Sequence, residues 1–600
     1  MAAALLAVLL AACSGARAVP ARAPGESIRA ADVRRDVYWL ADPARTGRGV
    51  GTPGIDAAAA WLADRMDRIG LAPGGDQGYL QPFQAPVGAR LVGKNALALA
   101  GRPLAVGEDW QPFTFSDDGA VEGELVWAGY GITAPDLGHD DYANVDVKGK
   151  IVIVAAHFPR EDDPASPWRD PRRYHYGEWR YKAMNARDHG AAALLAVRDD
   201  WNHAGPDDLP PWRGQVSSRA GIVAARVTLA ALRRAGVDPA ALVAQPEGSP
   251  RARPLAVQAE LTVTIAQETA RTANVVGLLR GADPVAGCVV VGAHYDHLGF
   301  GGESSLAPGV HAVHPGADDN ASGVAAMLAI ARAMADGPRP RRTVAFVAFS
   351  GEELGLLGSG HFVKAPPAGC AVESMQLMVN LDMVGRPRGG KVYVQGADTA
   401  EGERRRVEAL AAAPPAIPLT LAFGGDGYGP SDQTSFYAKG VPVLFFFTGA
   451  HADYHRPSDT PDKIDAPGLA EVALLAYRAV REAADAPGRY LVVRTPPPPG
   501  TSVTAGERSA GYGAYLGSIP DFEERKEPGV LVSAVRPGSP AEKAGVRGGD
   551  VLVGVGATRI GSLQDLAYAL RSHRPGDTVV VVWKRGTDTL EARVTLGERR

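Results

Sequence analysis

Residues 257–490 alternate short apolar runs with longer stretches in which apolar side chains recur at helical spacing. The runs at 288–292, 343–349, 375–381 and 441–447 are predicted as strands, and the stretches at 321–335 and 469–484 as helices. Strands that alternate with helices in this way are typical of an α/β domain with a largely parallel sheet.

Polar residues follow these predicted strands at the point where each strand ends. In open α/β sheets, ligands collect at the carboxyl ends of the strands, so we expect these residues to converge. The candidates are His294 and Asp296 after the first strand, Asp318 at the start of the next helix, Glu352 and Glu353 after the second strand, Asp382 after the third, and His455 late in the block.

The chemistry of this set predicts a metal centre. Carboxylates are hard oxygen donors and imidazoles are borderline ones, and two His with three carboxylates suit a pair of zinc-like ions. A carboxylate such as that of Asp318 could bridge both ions, and ions about 3.5–4 Å apart can polarise a carbonyl and generate hydroxide at neutral pH. Glu352 lies beside a ligand without being needed as one, so it is available as a general base.

Each polar group also has a purely structural interpretation. Asp318 and Asp319 could cap a helix N-terminus. Glu352 and Glu353 could begin a helix, where the helix dipole favours acidic residues. Five such groups, each at a strand end within one block, favour the metal centre.

Five motifs in the block resemble those of the co-catalytic di-zinc aminopeptidase family, whose relatives include glutamate carboxypeptidase II, glutaminyl cyclase and the transferrin receptor. They are GAHYDHLG, PGADDNASG, FSGEELGLLGS, NLDMVG and YHRPSDT. The resemblance covers the catalytic block and, more loosely, residues 28–118. It implies a zinc-exopeptidase fold, in which helices flank a mainly parallel mixed sheet, and two Zn²⁺ ions per chain.

The resemblance also assigns roles to individual residues. It implies one zinc on His294, Asp318 and Glu353, and the other on Asp318, Asp382 and His455. Glu352 matches the base that takes the proton from the bridging water, and the bond between Asp318 and Asp319 is expected to be cis.

Further residues have supporting roles in this interpretation. Asp296 matches the carboxylate that orients His294, which also makes physical sense for a metal ligand. Tyr428, in GYGPSD, matches a tyrosine that helps to hold the developing oxyanion. Three histidines near the site fall outside the ligand pattern and are expected to line it or to be structural: His297, His311 and His314.

The other blocks resemble two further domain types. Residues 119–255 resemble a β-rich protease-associated (PA) domain, inserted so that residues 28–118 and 256–490 form the two parts of the peptidase. Residues 511–597, after a Pro-rich linker at 491–510, resemble a PDZ domain. Its Leu516, Gly517 and Ser518 would offer backbone N–H groups to the C-terminal carboxylate of a peptide. The alternative is a structural PDZ domain with a blocked groove.

The N-terminus predicts export. Residues 2–12 form an apolar run of 11, which is too short to span a bilayer and fits the core of a signal peptide. The run ends in Leu10-Ala11-Ala12-Cys13, which resembles a bacterial lipobox, with residues up to 27 as a tether. We expect a lipoprotein of the periplasm or cell envelope, anchored through Cys13. The alternative is an ordinary cleaved signal and a secreted protein.

Composition excludes some other classes. The net charge of −4 and the pI near 6.4 argue against a nucleic-acid-binding protein, which usually has a basic excess. Three cysteines cannot form a disulfide framework, and Cys288 is expected to be buried and inert within its strand.

These features predict an exported zinc aminopeptidase that acts on peptides with a free N-terminus. One alternative is a carboxypeptidase or glutaminyl cyclase on the same fold. The other is a non-catalytic protein that binds partners through its PA and PDZ domains.

Overall fold

The computed structural model describes residues 27–598, apart from residues 144, 200–204, 211, 213, 215–218, 240–241, 243–251, 303, 308–309, 425–426, 494–513 and 522–526. The predicted signal segment with Cys13, and most of the predicted linker, lie outside the described residues. Within the described part of the chain, no helix is long and apolar enough to cross a bilayer.

The peptidase sheet has four parallel strands at its centre. In spatial order they are Thr343–Phe349, Cys288–His294, Met375–Leu381 and Val443–Phe447. Antiparallel strands extend the sheet on both sides, which confirms the expected mixed sheet: Ala72–Pro73, Leu80–Leu91 and Ile265–Leu279 on one side, and Lys391–Gln395 followed by Thr420–Gly424 on the other.

Helices cover both faces of this sheet. Helix Gly323–Asp336 is apolar almost all round and almost completely buried, because other helices pack over it. Its many alanines allow those helices to approach closely. One face carries Ala30–Leu40, Pro53–Ile69, Gly323–Asp336, Glu403–Ala412 and Ala466–Asp485, and the other carries Leu357–Lys364 and Gln433–Ala438.

A second sheet belongs to the inserted domain. Its strands, in spatial order, are Arg102–Leu104, Ala96–Leu99, Ala252–Val263, Gly119–Ala128, Ile151–Ala155, Ala193–Val197, Val223–Val227 and Trp110–Pro112. Helices Trp179–Asp188 and Leu229–Arg234 accompany it. The sheet therefore includes residues 96–112, which the sequence analysis placed with the peptidase, because local patterning does not reveal which distant strand a strand will pair with.

The insertion enters and leaves the peptidase through paired strands. Leu80–Leu91 runs antiparallel to Ile265–Leu279, from the pair Leu80 and Val275 to the pair Leu91 and Ile265. The first and last residues of the inserted segment are therefore held side by side.

The C-terminal domain is a small β-rich unit. Its main sheet contains, in spatial order, Ser518–Pro520, Val530–Val535, Val551–Val555, Thr578–Arg585 and Asp588–Thr595, with Thr558–Arg559 paired to the third strand. Ala514–Tyr515 pairs with Gly597–Glu598. Two helices complete the unit, Pro540–Lys543 and Leu563–Arg571.

Cys288 and Cys370 form a disulfide bond, with their Cα atoms 5.3 Å apart. Cys288 is buried as expected but is not a free thiol. The sequence analysis missed the pair because 82 residues separate the two cysteines, and no spacing rule connects them.

Replacing both cysteines by serine should lower the free energy of unfolding by about 3–5 kcal/mol, because the bond closes a long loop in the unfolded chain. Urea denaturation of the wild type and of Cys288→Ser/Cys370→Ser, each with and without reductant, tests this. Reductant should destabilise only the wild type. Two free thiols in the unreduced, denatured wild type at these positions would contradict the pairing.

Candidate metal centre

The site forms where the parallel strands end. His294 is the last residue of its strand, Asp382 directly follows Met375–Leu381, and Glu352 with Glu353 follows Thr343–Phe349. Asp319 lies just before helix Gly323–Asp336, in a turn with non-helical backbone angles. The structure therefore brings these residues together at one edge of the sheet, as the strand-end pattern predicts.

Asp319 lies at the middle of the site. Its Oδ1 is 3.3 Å from Nε2 of His294, and its Oδ2 is 3.2 Å from Nε2 of His455. The two oxygens of one carboxylate thus face two different imidazoles, which is the arrangement expected of a bridging ligand.

Two groups of His and carboxylate side chains meet at Asp319. On one side, Nε2 of His294 lies 3.4 Å from Oδ1 of Asp382. On the other, Nε2 of His455 lies 3.2 Å from Oε2 of Glu353. The pairing differs from the predicted one, in which Glu353 accompanied His294 and Asp382 accompanied His455.

Asp318, the predicted bridging residue, faces away from the imidazoles of both groups. Its Oδ1 accepts hydrogen bonds from the N–H of Gly385 and the hydroxyl of Ser322, and its Oδ2 lies 3.2 Å from Nε2 of His451. The cis peptide bond also lies one residue later than predicted, between Asp319 and Asn320. Two adjacent aspartates with different backbone angles point to different sides, and the sequence does not show which of them faces the site.

His297 lies in direct contact with the candidate metal ligands, which the sequence analysis did not predict. Its Nδ1 lies 2.8 Å from Oε1 of Glu353, and its ring is completely buried beside Asp319 and His455. His314 has the structural role expected of it, with its two ring nitrogens near the hydroxyl of Ser305 and a backbone carbonyl. The His311 ring stacks on Phe300.

Asp296 contacts both His294 and the turn that carries Glu352 and Glu353. Its carboxylate accepts hydrogen bonds from the N–H groups of Glu352 and Glu353, at 3.2 and 3.3 Å. Nδ1 of His294 lies 3.2 Å from the backbone oxygen of Asp296 and 3.9 Å from its carboxylate. A proton on Nδ1 leaves Nε2 free for a metal, so Asp296 orients both the imidazole and the turn that carries the acidic pair.

These donors fit metal ions. Two sets that overlap these groups each bring a His nitrogen and two carboxylate oxygens within 4.8 Å of one another: His294, Glu352 and Asp382 in one set, and His297, Asp319 and Glu353 in the other. Oδ1 of Asp382 is buried without a hydrogen-bond partner among the described residues. Imidazole with carboxylate is a donor set that zinc accepts.

Electrostatics around the imidazoles support the same conclusion. Burial lowers the pKa of His455, but hydrogen bonds with Asp319 and Glu353 outweigh burial and raise this pKa to about 11. Burial likewise opposes protonation of His294, while Glu352, Asp382 and Asp319 raise its pKa well above the usual value. The carboxylates therefore favour a positive charge at both imidazoles. A metal ion bound there would balance the carboxylate charge in place of the imidazole proton.

Arg48 is a fully buried cation that the sequence analysis missed. Its Nε donates to the backbone oxygen of Tyr295, and Nη1 and Nη2 donate to the oxygens of Pro315 and Gly316. Nη1 also donates to Leu40. One side chain thus joins the loop of His294 to the loop of Asp319. A lone Arg between glycines has no periodic signal that could have identified it.

The charge of Arg48 also matters to the site. Burial lowers the pKa of Arg48 to about 10, against the attraction of Asp319, Asp296 and other carboxylates. The group therefore stays protonated at neutral pH. Gly47 allows this close packing, because a side chain there would meet the backbone oxygen of Gly299 at 2.3 Å.

Asp459 and Arg386 also hold this turn. Oδ2 of Asp459 accepts from the N–H groups of both Asp318 and Asp319, at 2.9 and 3.1 Å. The Arg386 guanidinium pairs with Asp459 and with Asp453, the latter at 2.8 Å. The turn that presents Asp319 is thus fixed both by Arg48 and by this ion-pair network.

Ser431 and Tyr428 lie on a loop that borders the site. The Ser431 hydroxyl donates to Oδ2 of Asp382 at 2.8 Å, a contact that the sequence analysis missed. Tyr428 is buried, with its ring 4.7 Å from that of Tyr437 and 5.4 Å from the guanidinium of Arg536. Its role in holding an oxyanion stays a prediction.

Arg48→Met should lower the free energy of unfolding by about 3 kcal/mol or more, because it leaves four buried carbonyl groups without their charged donor. Arg48→Lys should recover part of the loss, since it keeps the charge but not the planar fork. Urea denaturation measures both, with the exposed Arg68→Lys as the matched control. An unchanged midpoint for Arg48→Met would refute the role.

Asp319→Asn should remove most of the bound zinc, because Asp319 faces both groups of donors. Asp318→Asn, an equally conservative change at the neighbouring position, should keep it. Zinc content after gel filtration, measured by atomic absorption, distinguishes the two. The opposite result would restore Asp318 as the bridging residue.

Three parts of the chain match known families. Residues 274–480 match peptidase family M28, residues 121–234 match the PA domain, and residues 515–596 match the PDZ domain. These assignments confirm the three domain types expected from sequence.

Two curated relatives and one solved structure are named as aminopeptidases. Aminopeptidase YwaD of Bacillus subtilis is 27% identical over 438 residues, which cover 66% of this chain and 82% of YwaD. "Probable lipoprotein aminopeptidase LpqL" of Mycobacterium tuberculosis is 24% identical over 455 residues, with 70% and 78% covered. The solved structure of BSAP, a zinc aminopeptidase from Bacillus subtilis, covers 76% of this chain and 95% of its own, at 23% identity and a TM-score of 0.48. By the family matches, residues 274–480 are a family M28 peptidase domain, in a chain that also carries a PA domain and a PDZ domain.

Proposed function

We propose that this protein is an exported aminopeptidase that uses two zinc ions to remove N-terminal residues from peptides. The observation that carries the proposal is the position of Asp319 between two groups of donors. One ion would be held by His294, Asp319 and Asp382, and the other by His455, Asp319 and Glu353. The relatives named as aminopeptidases support this activity.

The charge of the site favours a free amine as the recognised group. Carboxylates surround His294, including the buried Glu352, Asp382 and Asp432. Burial raises the pKa of Asp432 to about 7. Glu352 and Asp432 are not among the proposed zinc ligands, so the ionised form of either would attract the ammonium group of a substrate N-terminus.

The nearby arginines do not suit a carboxypeptidase. Such an enzyme needs cationic groups for the C-terminal carboxylate of its substrate. Arg48 is completely buried and donates to backbone oxygens, and Arg386 is paired with Asp453 and Asp459. Among the described residues, the cations next to the donor groups are thus already engaged.

Glu352 is placed to transfer the proton. It is next to the ligand Glu353, and its Oε2 lies 3.9 Å from Nε2 of His294. Burial and the neighbouring carboxylates raise the pKa of Glu352 well above its usual range. A carboxyl with a raised pKa can take a proton from an attacking water at neutral pH and deliver it to the leaving amine. Bound zinc would supply Lewis acidity toward the scissile carbonyl and the water.

Two observations support export. The disulfide between Cys288 and Cys370 is typical of an oxidising compartment. The relative LpqL carries the word lipoprotein in its name. Together with the apolar N-terminal run that ends at Cys13, they favour the cell envelope, with Cys13 as the lipid anchor.

The activity is tested with a panel of aminoacyl-p-nitroanilides and their N-acetylated forms, using zinc-loaded protein. Only the free-amine substrates should be cleaved. Glu352→Gln should lower kcat by a factor of about 10²–10⁴, as expected for loss of a general base, while zinc stays bound. Cleavage of the acetylated forms, or full activity of Glu352→Gln, would contradict the proposal.

Zinc binding should release protons. In the metal-free protein the pKa values of His294 and His455 are raised, so both imidazoles carry protons at pH 7, and a metal must displace them. Titration calorimetry in buffers of different ionisation enthalpy should show release of about two protons, and zinc affinity should fall as pH falls. Proton-neutral binding with pH-independent affinity would show that these imidazoles are not ligands.

A further inference from the structure

The orientation of His455 depends on a segment that lies far away along the chain. The φ of His455 is +52°, in the left-handed region that residues other than glycine rarely adopt. Its Nδ1 lies 2.7 Å from the backbone oxygen of Ser304, and the N–H of Leu306 donates to the backbone oxygen of His455 at 3.0 Å. A carbonyl oxygen can only accept a hydrogen bond, so Nδ1 carries the proton and Nε2 is left free for a metal ion.

Ser305 lies between these two contacts and is buried. Its hydroxyl oxygen is 2.8 Å from Nε2 of His314 and accepts a hydrogen bond from the N–H of Ala307 at 3.1 Å. Nδ1 of His314 lies 2.9 Å from the backbone oxygen of Ala312, so this nitrogen carries the proton of the ring. Burial lowers the pKa of His314, so its Nε2 is unprotonated and accepts the hydrogen bond of the Ser305 hydroxyl.

His314 is itself held firmly. Its side chain is completely buried, and its N–H donates to the backbone oxygen of Gly299 at 2.8 Å. The N–H of Gly299 in turn donates to the oxygen of Gly47, the neighbour of Arg48, at 3.1 Å. The imidazole packs against Gly301, where a Cβ atom would lie 2.7 Å from Cε1 of the ring. The nitrogen that accepts the hydroxyl is therefore part of the same framework as Arg48.

The segment around Ser305 is otherwise open to solvent. Ser304 and Leu306, on both sides of it, are exposed. Exposed segments with few buried contacts move readily. The inward hydrogen bond of Ser305 supplies such a contact at the position between the two backbone groups that hold His455.

We propose that Ser305 and His314 are positioning residues for the metal ligand His455. Their hydrogen bond fixes the backbone of the segment from Ser304 to Leu306, and this segment fixes the imidazole and the backbone of His455. The inference rests on the proposed two-zinc function and adds two residues to it that contact neither metal nor substrate.

The expected effect is confined to one of the two ions. His455 accompanies Glu353 at one oxygen of Asp319. His294 accompanies Asp382 at the other oxygen. Loss of the supporting hydrogen bond should therefore weaken the ion on the His455 side and leave the other ion in place.

Zinc binding to the metal-free full chain, measured by competition with a chelator of known affinity, tests the inference. The wild type should bind two ions. Ser305→Ala should bind one of them about tenfold to a hundredfold more weakly, the range for loss of a group that orients a metal ligand. Ser305→Thr keeps the hydroxyl and should recover most of the affinity.

Ser374→Ala is the matched control. It also removes a hydrogen bond from a serine hydroxyl to a backbone oxygen, that of Ala371. Ser374 directly precedes strand Met375–Leu381, at the end opposite Asp382. Both ions should bind to this variant as they bind to the wild type.

Two further measurements distinguish positioning from a general loss of structure. With Co²⁺ bound in place of zinc, the visible spectrum should change in Ser305→Ala and not in Ser374→Ala. The kcat of Ser305→Ala on leucyl-p-nitroanilide should fall when two equivalents of zinc are supplied and recover in excess zinc. Urea denaturation of the metal-free proteins checks that the variants are folded.

A double variant tests the partnership of the two side chains. His314→Leu removes the acceptor and should weaken the same ion by a similar factor. Ser305→Ala/His314→Leu should bind zinc no more weakly than the weaker single variant, because both changes remove one hydrogen bond. If His314→Leu does not fold, Ser305→Ala alone decides the inference.

The inference and the proposed function fail in different ways. Wild-type affinity for both ions in Ser305→Ala, equal weakening of both ions, or additive losses in the double variant would each overturn the inference while the proposed function stands. A wild type that binds two ions without turnover would refute the proposed activity and leave the zinc affinities to decide the inference. A wild type that binds no zinc would refute both.

Discussion

The catalytic edge depends on one buried guanidinium. Arg48 comes from the N-terminal part of the peptidase, yet it donates to the loops that carry His294 and Asp319, far away along the chain. Loops at strand ends have few backbone partners of their own, so a fixed donor is needed to hold them in register. The five N–H groups of an arginine fork are well suited to joining several carbonyl groups at once.

The same group reduces the electrostatic cost of the site. Carboxylates that crowd together in a buried region repel one another, and burial disfavours their charged form. Arg48 supplies positive charge below Asp319 and Asp296, and Arg386 supplies it beside Asp459. The remaining negative charge faces the imidazoles, where metal ions and a substrate amine would balance it. The arrangement thus uses permanent cations next to Asp319, Asp296 and Asp459, and leaves the charge next to the imidazoles for exchangeable cations.

Sequence patterns predicted the architecture well and the local geometry less well. Strands Thr343–Phe349 and Met375–Leu381 have the predicted bounds, because buried strands in a parallel sheet are continuous apolar runs. The strand-end rule also located the site. It did not distinguish Asp318 from Asp319, since backbone angles within a turn decide which neighbour points inward.

Other features depend on contacts between distant segments. Arg48 donates to backbone carbonyl groups, and every residue type has one, so the sequence does not indicate these partners. The disulfide joins residues 82 positions apart. Strands 96–112 joined the PA sheet because their partners lie in that domain, and local patterning is the same for either sheet.

The paired strands Leu80–Leu91 and Ile265–Leu279 connect the inserted domain to the peptidase sheet. To the peptidase, the whole insertion is the turn of a long β-hairpin, since its two ends are neighbours in one ladder. The entropic cost of closing such a turn grows only with the logarithm of its length. Closing it around a whole domain therefore costs little more chain entropy than closing it around a long loop. The register of these two strands is therefore set within the ladder itself, from the pair Leu80 and Val275 to the pair Leu91 and Ile265.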